Sequence, residues 1–173
     1  GFAPSVNTNR EGLDLLLQAI ETAGYIPGEQ CFIAMDIAAT ELLTEDGEYS
    51  LDREGEILTA NELISLYTEW TNTYPIISIE DGMGEDDWEG WHKLNSRIGH
   101  RTQLVGDDLY TNNQERIKKG IQEKSSNAVL IKLNQIGTLT ETLDAIRLTQ
   151  SAGWGTVISH RSGETIDTTI SDL

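Results

Sequence analysis

Five polar residues recur at one kind of position in this chain. Asp36 follows Ile33-Ala34-Met35, Glu80 follows Ile77-Ser78-Ile79, Asp107 follows Leu104-Val105-Gly106, Lys132 follows Leu130-Ile131, and His160 follows Val157-Ile158-Ser159. Successive members lie 44, 27, 25 and 28 residues apart. A lone acid after an apolar run is ordinarily a helix cap or a loop residue, and Asp81, Asp86, Asp87 and Asp108 read as caps or solvated charge. Three acids, a lysine and a histidine at corresponding points are different, because together they repel or bury charge unless a function holds them.

Asp36, Glu80 and Asp107, with no Cys or multi-His cluster beside them, make an oxygen-rich set suited to a hard cation such as Mg²⁺. A lysine next to such an ion is pushed toward its neutral amine, which can remove a proton. The ion would also stabilise the negative charge that proton removal creates beside a carboxylate. His160-Arg161-Ser162 brings an imidazole, a forked guanidinium and a hydroxyl to the start of a loop, a cradle for a phosphate or carboxylate. The chemistry read from the residues is therefore Mg²⁺-assisted proton abstraction next to a carboxylate, on a small anionic substrate.

The elements that must position these groups alternate along the chain. Apolar runs at 31–38, 75–79, 103–105, 128–133 and 155–158 read as buried strands. Between them lie helical stripes: Leu13, Leu16, Leu17 and Ile20, then Leu63, Leu66, Tyr67 and Trp70. Further stripes are Trp88, Trp91, Leu94 and Ile98, a weaker Ile117 and Ile121, and Leu139, Leu143 and Ile146. Thr59 with Glu62, and Thr138 with Glu141, have the spacing of capping boxes, while Gly24, Gly99 and Gly153 stand where helices would stop. The acidic stretch 44–56 reads as a surface excursion, in the form of a hairpin.

Strand then helix, five times over, implies parallel strands joined by crossover helices. An open doubly wound sheet and a (β/α)8 barrel both satisfy that pattern. The phosphate-loop and dinucleotide fingerprints that would favour the open sheet are absent from the sequence.

Composition narrows the partners. The 173 residues hold 29 Asp or Glu against 12 Lys or Arg, a formal charge of −17, which argues against nucleic acid and against a polybasic grip on membranes. No apolar run approaches the length of a membrane span. The single cysteine, Cys31, forms no internal disulfide and fits a reducing compartment. The chain opens Gly1-Phe2-Ala3-Pro4 with no initiator Met and no signal-peptide pattern.

The run 129–142, Val-Leu-Ile-Lys-Leu-Asn-Gln-Ile-Gly-Thr-Leu-Thr-Glu-Thr, resembles the signature of the enolase family. Ser159-His160-Arg161-Ser162-Gly163-Glu164-Thr165, Ser78-Ile79-Glu80-Asp81-Gly82 and Val105-Gly106-Asp107-Asp108-Leu109 resemble further segments of that family in the family's order. The resemblance extends from Gly1 to Leu173. It implies part of a TIM-type (β/α)8 barrel, about five strand-helix units, within the catalytic domain of a glycolytic lyase that interconverts 2-phosphoglycerate and phosphoenolpyruvate.

On the same resemblance, Asp36, Glu80 and Asp107 would bind Mg²⁺ and Lys132 would be the catalytic base and contact the substrate. Ser159, His160, Arg161 and Ser162 would hold the substrate's phosphate end. A homodimer or larger homo-oligomer in the cytoplasm is also implied, with a secondary location at the cell surface or outside it for some family members. Another acid dehydratase or racemase of the superfamily, or a non-catalytic binding protein with the same fold, stays open as an alternative.

The departures from the pattern are of two kinds. The family's Gly-Asp-Glu-Gly segment, whose glutamate assists loss of the 3-hydroxyl, and the lysine of its later Lys-Thr-Gly segment are not in this sequence. The chain is therefore expected to be an internal part of a longer protein, without turnover on its own. Five units of some 27 residues make about five-eighths of a barrel that takes about 250. Within the chain, Thr111-Asn112-Asn113 stands where Val-Thr-Asn is usual, a difference read as a helix-cap detail.

Overall fold

The computed structural model describes residues 2–161 and 166–173. Five parallel strands, β1 (Ile33–Asp36), β4 (Ile76–Glu80), β5 (Gln103–Gly106), β6 (Ala128–Ile131) and β7 (Gly155–Ile158), form one sheet in the order β1-β4-β5-β6-β7. Helices α2 (Ala60–Thr73), α3 (Trp88–Ile98), α4 (Gln114–Glu123) and α6 (Leu139–Ser151) are the crossovers between neighbours, and α1 (Asn9–Thr22) precedes the sheet. Each strand is added beside the one before it, the winding of a (β/α)8 barrel. Five strands leave it partial, with β1 and β7 as its edges.

Strand alternation sorts the side chains between two faces. Ile79, Leu104, Val129 and Ile131 join the large cluster between sheet and helices, with Leu63, Tyr67, Trp91, Leu94 and Ile117. Val105, Ala128 and Leu130, with Val157 against them, form a second, smaller cluster on the opposite, inner face. The inner face is the one that carries the polar residues at the strand ends.

The helix ends follow the side chains expected of them. Thr59 and Glu62 form a reciprocal capping box at α2, Thr138 accepts the Glu141 N–H at α6, and Asp87 accepts the Gly90 N–H at α3. Gly24 and Gly153 take left-handed backbone just past α1 and α6. Gly99 instead closes α3 in right-handed geometry, and what favours glycine there is Asn95, whose carbonyl and side chain a Cβ would run into.

Several expectations are corrected. Strand β6 ends at Ile131, and 133–136, expected to begin within the strand, turn into a short helix, α5 (Leu133–Ile136), with Lys132 at its N-terminal boundary. Strand β1 spans four residues rather than the run 31–38, because Ala38 is left-handed and the chain leaves the sheet there. The α1 stripe is covered except at one position: Leu13 is buried and Leu17 and Ile20 pack against the core, but Leu16 is 48% exposed.

The 44–56 stretch does contain a hairpin, β2 (Tyr49–Leu51) against β3 (Glu56–Leu58), but it is no loose excursion. Tyr49 is fully buried, and its hydroxyl donates to Asp87 Oδ2 at 2.8 Å while accepting the Gly84 N–H at 3.0 Å. The hairpin is thereby tied to the loop that follows Glu80. A last short helix, α7 (Thr169–Asp172), ends the chain.

Candidate functional site

Side-chain alternation brings the predicted groups to one rim. Asp36, Glu80, Asp107, Lys132 and Ser159 follow Ala34, Ser78, Val105, Leu130 and Val157 at the two-residue step of the inner face. Asp36 and Glu80 are register partners on adjacent strands. His160 falls on the opposite parity and is exposed, as is Arg161, whose backbone N–H bonds Ser159 Oγ at 2.9 Å. Among the described residues no hydrogen bond or ion pair joins Ser159, His160 or Arg161 to the acids. Ser162, the remaining predicted phosphate ligand, lies outside the described residues.

The acids sense one another. Burial first, and then Asp36, Asp107 and Asp81, push the Glu80 carboxyl up to about 7 from an ordinary 4.5, with Lys132 pulling the other way. Partial desolvation, then Asp107 and Asp108, also raise Asp36, against the Ala38 N–H that its Oδ1 accepts at 3.1 Å and against Lys132. Lys132 Nζ is paired directly with Asp107 Oδ2, both side chains being 12% exposed. The other oxygen, Asp107 Oδ1, is buried and has no hydrogen-bond partner among the described residues. An unpartnered carboxylate oxygen is costly unless something positive meets it.

The local sequence explains how Asp107 is held. Gly106 precedes it because a Cβ there would run into the ring of Tyr110. That ring is wedged between Gly106 and Gly120, and its hydroxyl is hydrogen-bonded to Ser126 Oγ at 2.7 Å. The Asp107 carbonyl then accepts the N–H groups of Tyr110 and Thr111 at 3.1 and 2.8 Å, closing a tight turn.

Two residues were misread from sequence. Asp81 is neither a cap nor solvated: it is 3% exposed, sits at φ +43°, and accepts the backbone N–H groups of Asp107 and Asp108, both at 2.9 Å. Desolvation pushes its carboxyl up to about 6 despite those two amides. The available signal was its place directly before Gly82 in a turn, where an aspartate tolerates left-handed backbone. Asn112 is fully buried rather than a capping detail; the α4 cap is Asn113, which accepts the Glu115 and Arg116 N–H groups. Two adjacent asparagines before one helix signalled that only one of them could cap it.

Asp81, Asp107 and Asp108 can place one oxygen each within 4.8 Å of one another. Both Asp81 oxygens already accept amides and Asp36 Oδ1 accepts the Ala38 N–H, so among the described residues Asp107 Oδ1, the second Asp36 oxygen and the Glu80 and Asp108 carboxylates are the oxygens left without a hydrogen bond. A hard divalent cation suits that donor set.

Parallel strands each followed by a helix, with ionisable side chains collected where the strands end, define a barrel of the TIM class with its reactive face at the carboxyl rim. The family described as enolase, C-terminal TIM barrel domain, matches the chain over residues 1–173, and the chain belongs to that family. Among the described residues no helix is long and apolar enough to cross a membrane.

Proposed function

We propose that this chain is the strand-helix core of the catalytic barrel of a Mg²⁺-dependent lyase that interconverts 2-phosphoglycerate with phosphoenolpyruvate and water. The observation that carries this reading is the meeting of Asp36, Glu80 and Asp107 with Lys132, in which Asp107 Oδ1 is buried without a partner among the described residues. A Mg²⁺ ion held by the three acids would supply the positive charge that stabilises a substrate carboxylate losing a neighbouring proton.

Lys132 takes the proton from C2 of the substrate. Its Nζ already reaches the rim, held there by Asp107. Ser159, His160, Arg161 and Ser162 bind the phosphate end, with Arg161 supplying a paired donor fork. Asp81 touches no reacting atom and acts by fixing the Asp107 turn. The barrel is completed by strands that pair with β1 and β7, in a protein longer than this chain, cytoplasmic and at least homodimeric.

A coupled assay tests the reading. Full-length protein given 2-phosphoglycerate in saturating Mg²⁺ should form phosphoenolpyruvate at a rate that depends on the metal. Absence of product from folded, Mg²⁺-saturated protein would refute it.

A further inference from the structure

Strand β5 pairs with β6 only as far as Gly106 opposite Val129. Beyond that point Asp107 turns away, and β6 would lose its neighbour on that side just before the residue that matters most. On its other side β6 is still paired, through Ile131 with Ile158 and the Ser159 N–H donated to the Ile131 carbonyl at 3.0 Å.

The vacant side is filled by a side chain. Asn112 Nδ2 donates to the Leu130 carbonyl at 2.5 Å, and Asn112 Oδ1 accepts the Lys132 N–H at 2.6 Å. In a parallel ladder one residue donates to the carbonyl before its opposite number and accepts from the N–H after it. The Asn112 amide makes that same pair of bonds around Ile131, so it stands in for a backbone residue that β5 no longer supplies. Lys132 keeps extended backbone as a result, at φ −125° and ψ 103°.

The backbone is shaped for this task. Thr111 and Asn112 are successive left-handed residues, φ +48° and +56°, a conformation asparagine accepts more readily than most. The Asn112 side chain is thereby turned away from α4 and into the sheet, while Asn113 caps the helix.

We infer that Asn112 is a positioning residue for Lys132, splicing the loop that carries Asp107 to the strand that carries the base. The inference rests on the proposed role of Lys132, and it names a residue that touches neither metal nor substrate.

Asn112→Gly keeps the left-handed backbone free of strain and removes only the amide. In the variant chain the Lys132 amide should exchange with solvent at least about tenfold faster, as read by hydrogen exchange. In the full-length protein kcat and the exchange of the substrate's C2 proton should fall by about 10- to 100-fold, while KM and Mg²⁺ affinity stay within about twofold. Should the glycine variant fail to fold, Asn112→Asp, which keeps the acceptor toward Lys132 but not the donor toward Leu130, should show the same loss of kcat at unchanged KM, to a smaller extent.

Lys132→Ala, run alongside, separates the outcomes. If it abolishes C2 proton exchange while the Asn112 variants keep normal kcat, the inference is overturned and the proposed reaction stands. If kcat, Mg²⁺ affinity and folding stability fall together in the Asn112 variants, Asn112 is only a packing residue and the inference is again overturned. If Lys132→Ala exchanges the proton at the normal rate, the proposed reaction fails and the inference falls with it.

Discussion

The Asp81 carboxylate accepts the backbone N–H of Asp107 at 2.9 Å, so one buried acid holds the main chain of another in place. Its second oxygen takes the next amide, that of Asp108. Asp81→Asn offers one acceptor where two are needed and turns an NH2 toward an N–H. A loss of about 1–3 kcal/mol in stability is expected, together with weaker Mg²⁺ binding. Urea denaturation and titration calorimetry read the two effects, and an unchanged urea midpoint would show that the clamp contributes nothing.

Metal binding should release protons. The Glu80 carboxyl, raised to about 7 by burial and its acidic neighbours, is mostly protonated at about pH 6 and must ionise to meet a cation. Calorimetry at that pH in buffers of different ionisation enthalpy should detect up to about one proton released per Mg²⁺ bound, and affinity should climb with pH until about 7. Affinity that is flat across this range would remove Glu80 from the ligand set.

The same shift fixes how stability varies with pH. A carboxyl whose folded value lies above its ordinary 4.5 favours the protonated folded chain, so its contribution is complete below about 4.5 and is lost as pH rises through about 7. Asp81, raised to about 6 from 3.8, acts in the same direction. Metal-free protein should therefore have a lower urea midpoint at about pH 8 than at about pH 5, and Mg²⁺ should narrow the gap.

Lys132 and Glu80 are expected to fail in different ways. Lys132→Ala should abolish exchange of the substrate's C2 proton without weakening Mg²⁺ binding, because the lysine competes with a cation for Asp107 Oδ2. Glu80→Gln should weaken Mg²⁺ binding first and lose turnover as a consequence. Solvent-isotope exchange followed by NMR, beside calorimetry, distinguishes the two.

Gly106→Ala tests the packing behind Asp107. The new Cβ would enter the Tyr110 ring, which Gly120 and Ser126 hold from the other side. A cost of about 1–3 kcal/mol is expected, visible as a lowered urea midpoint. A midpoint equal to that of the parent would mean the ring has room to move.

Periodicity made the parallel strands, the crossover helices and the capping residues of α2 and α6 readable, because each rests on local spacing. Asp36, Glu80, Asp107 and Lys132 were readable because a polar residue that interrupts an apolar strand has a fixed place in the fold. Asp81 and Asn112 were not, since their partners are backbone groups 26 and 20 residues away, at Asp107 and Lys132. Such pairings leave no mark on spacing. The two-residue step also separates Ser159 from His160, a distinction that an apolar run ending in two polar residues leaves open.

The sheet order β1-β4-β5-β6-β7 repeats the order of synthesis. Strands β4 to β7 each emerge to find one neighbour already made, so the acids and the lysine wait for no distant segment to thread back. Asp36, Glu80, Asp107, Asn112 and Lys132 are all present once the ribosome has passed β6. This part of the rim can assemble vectorially, while the polypeptide is still being translated.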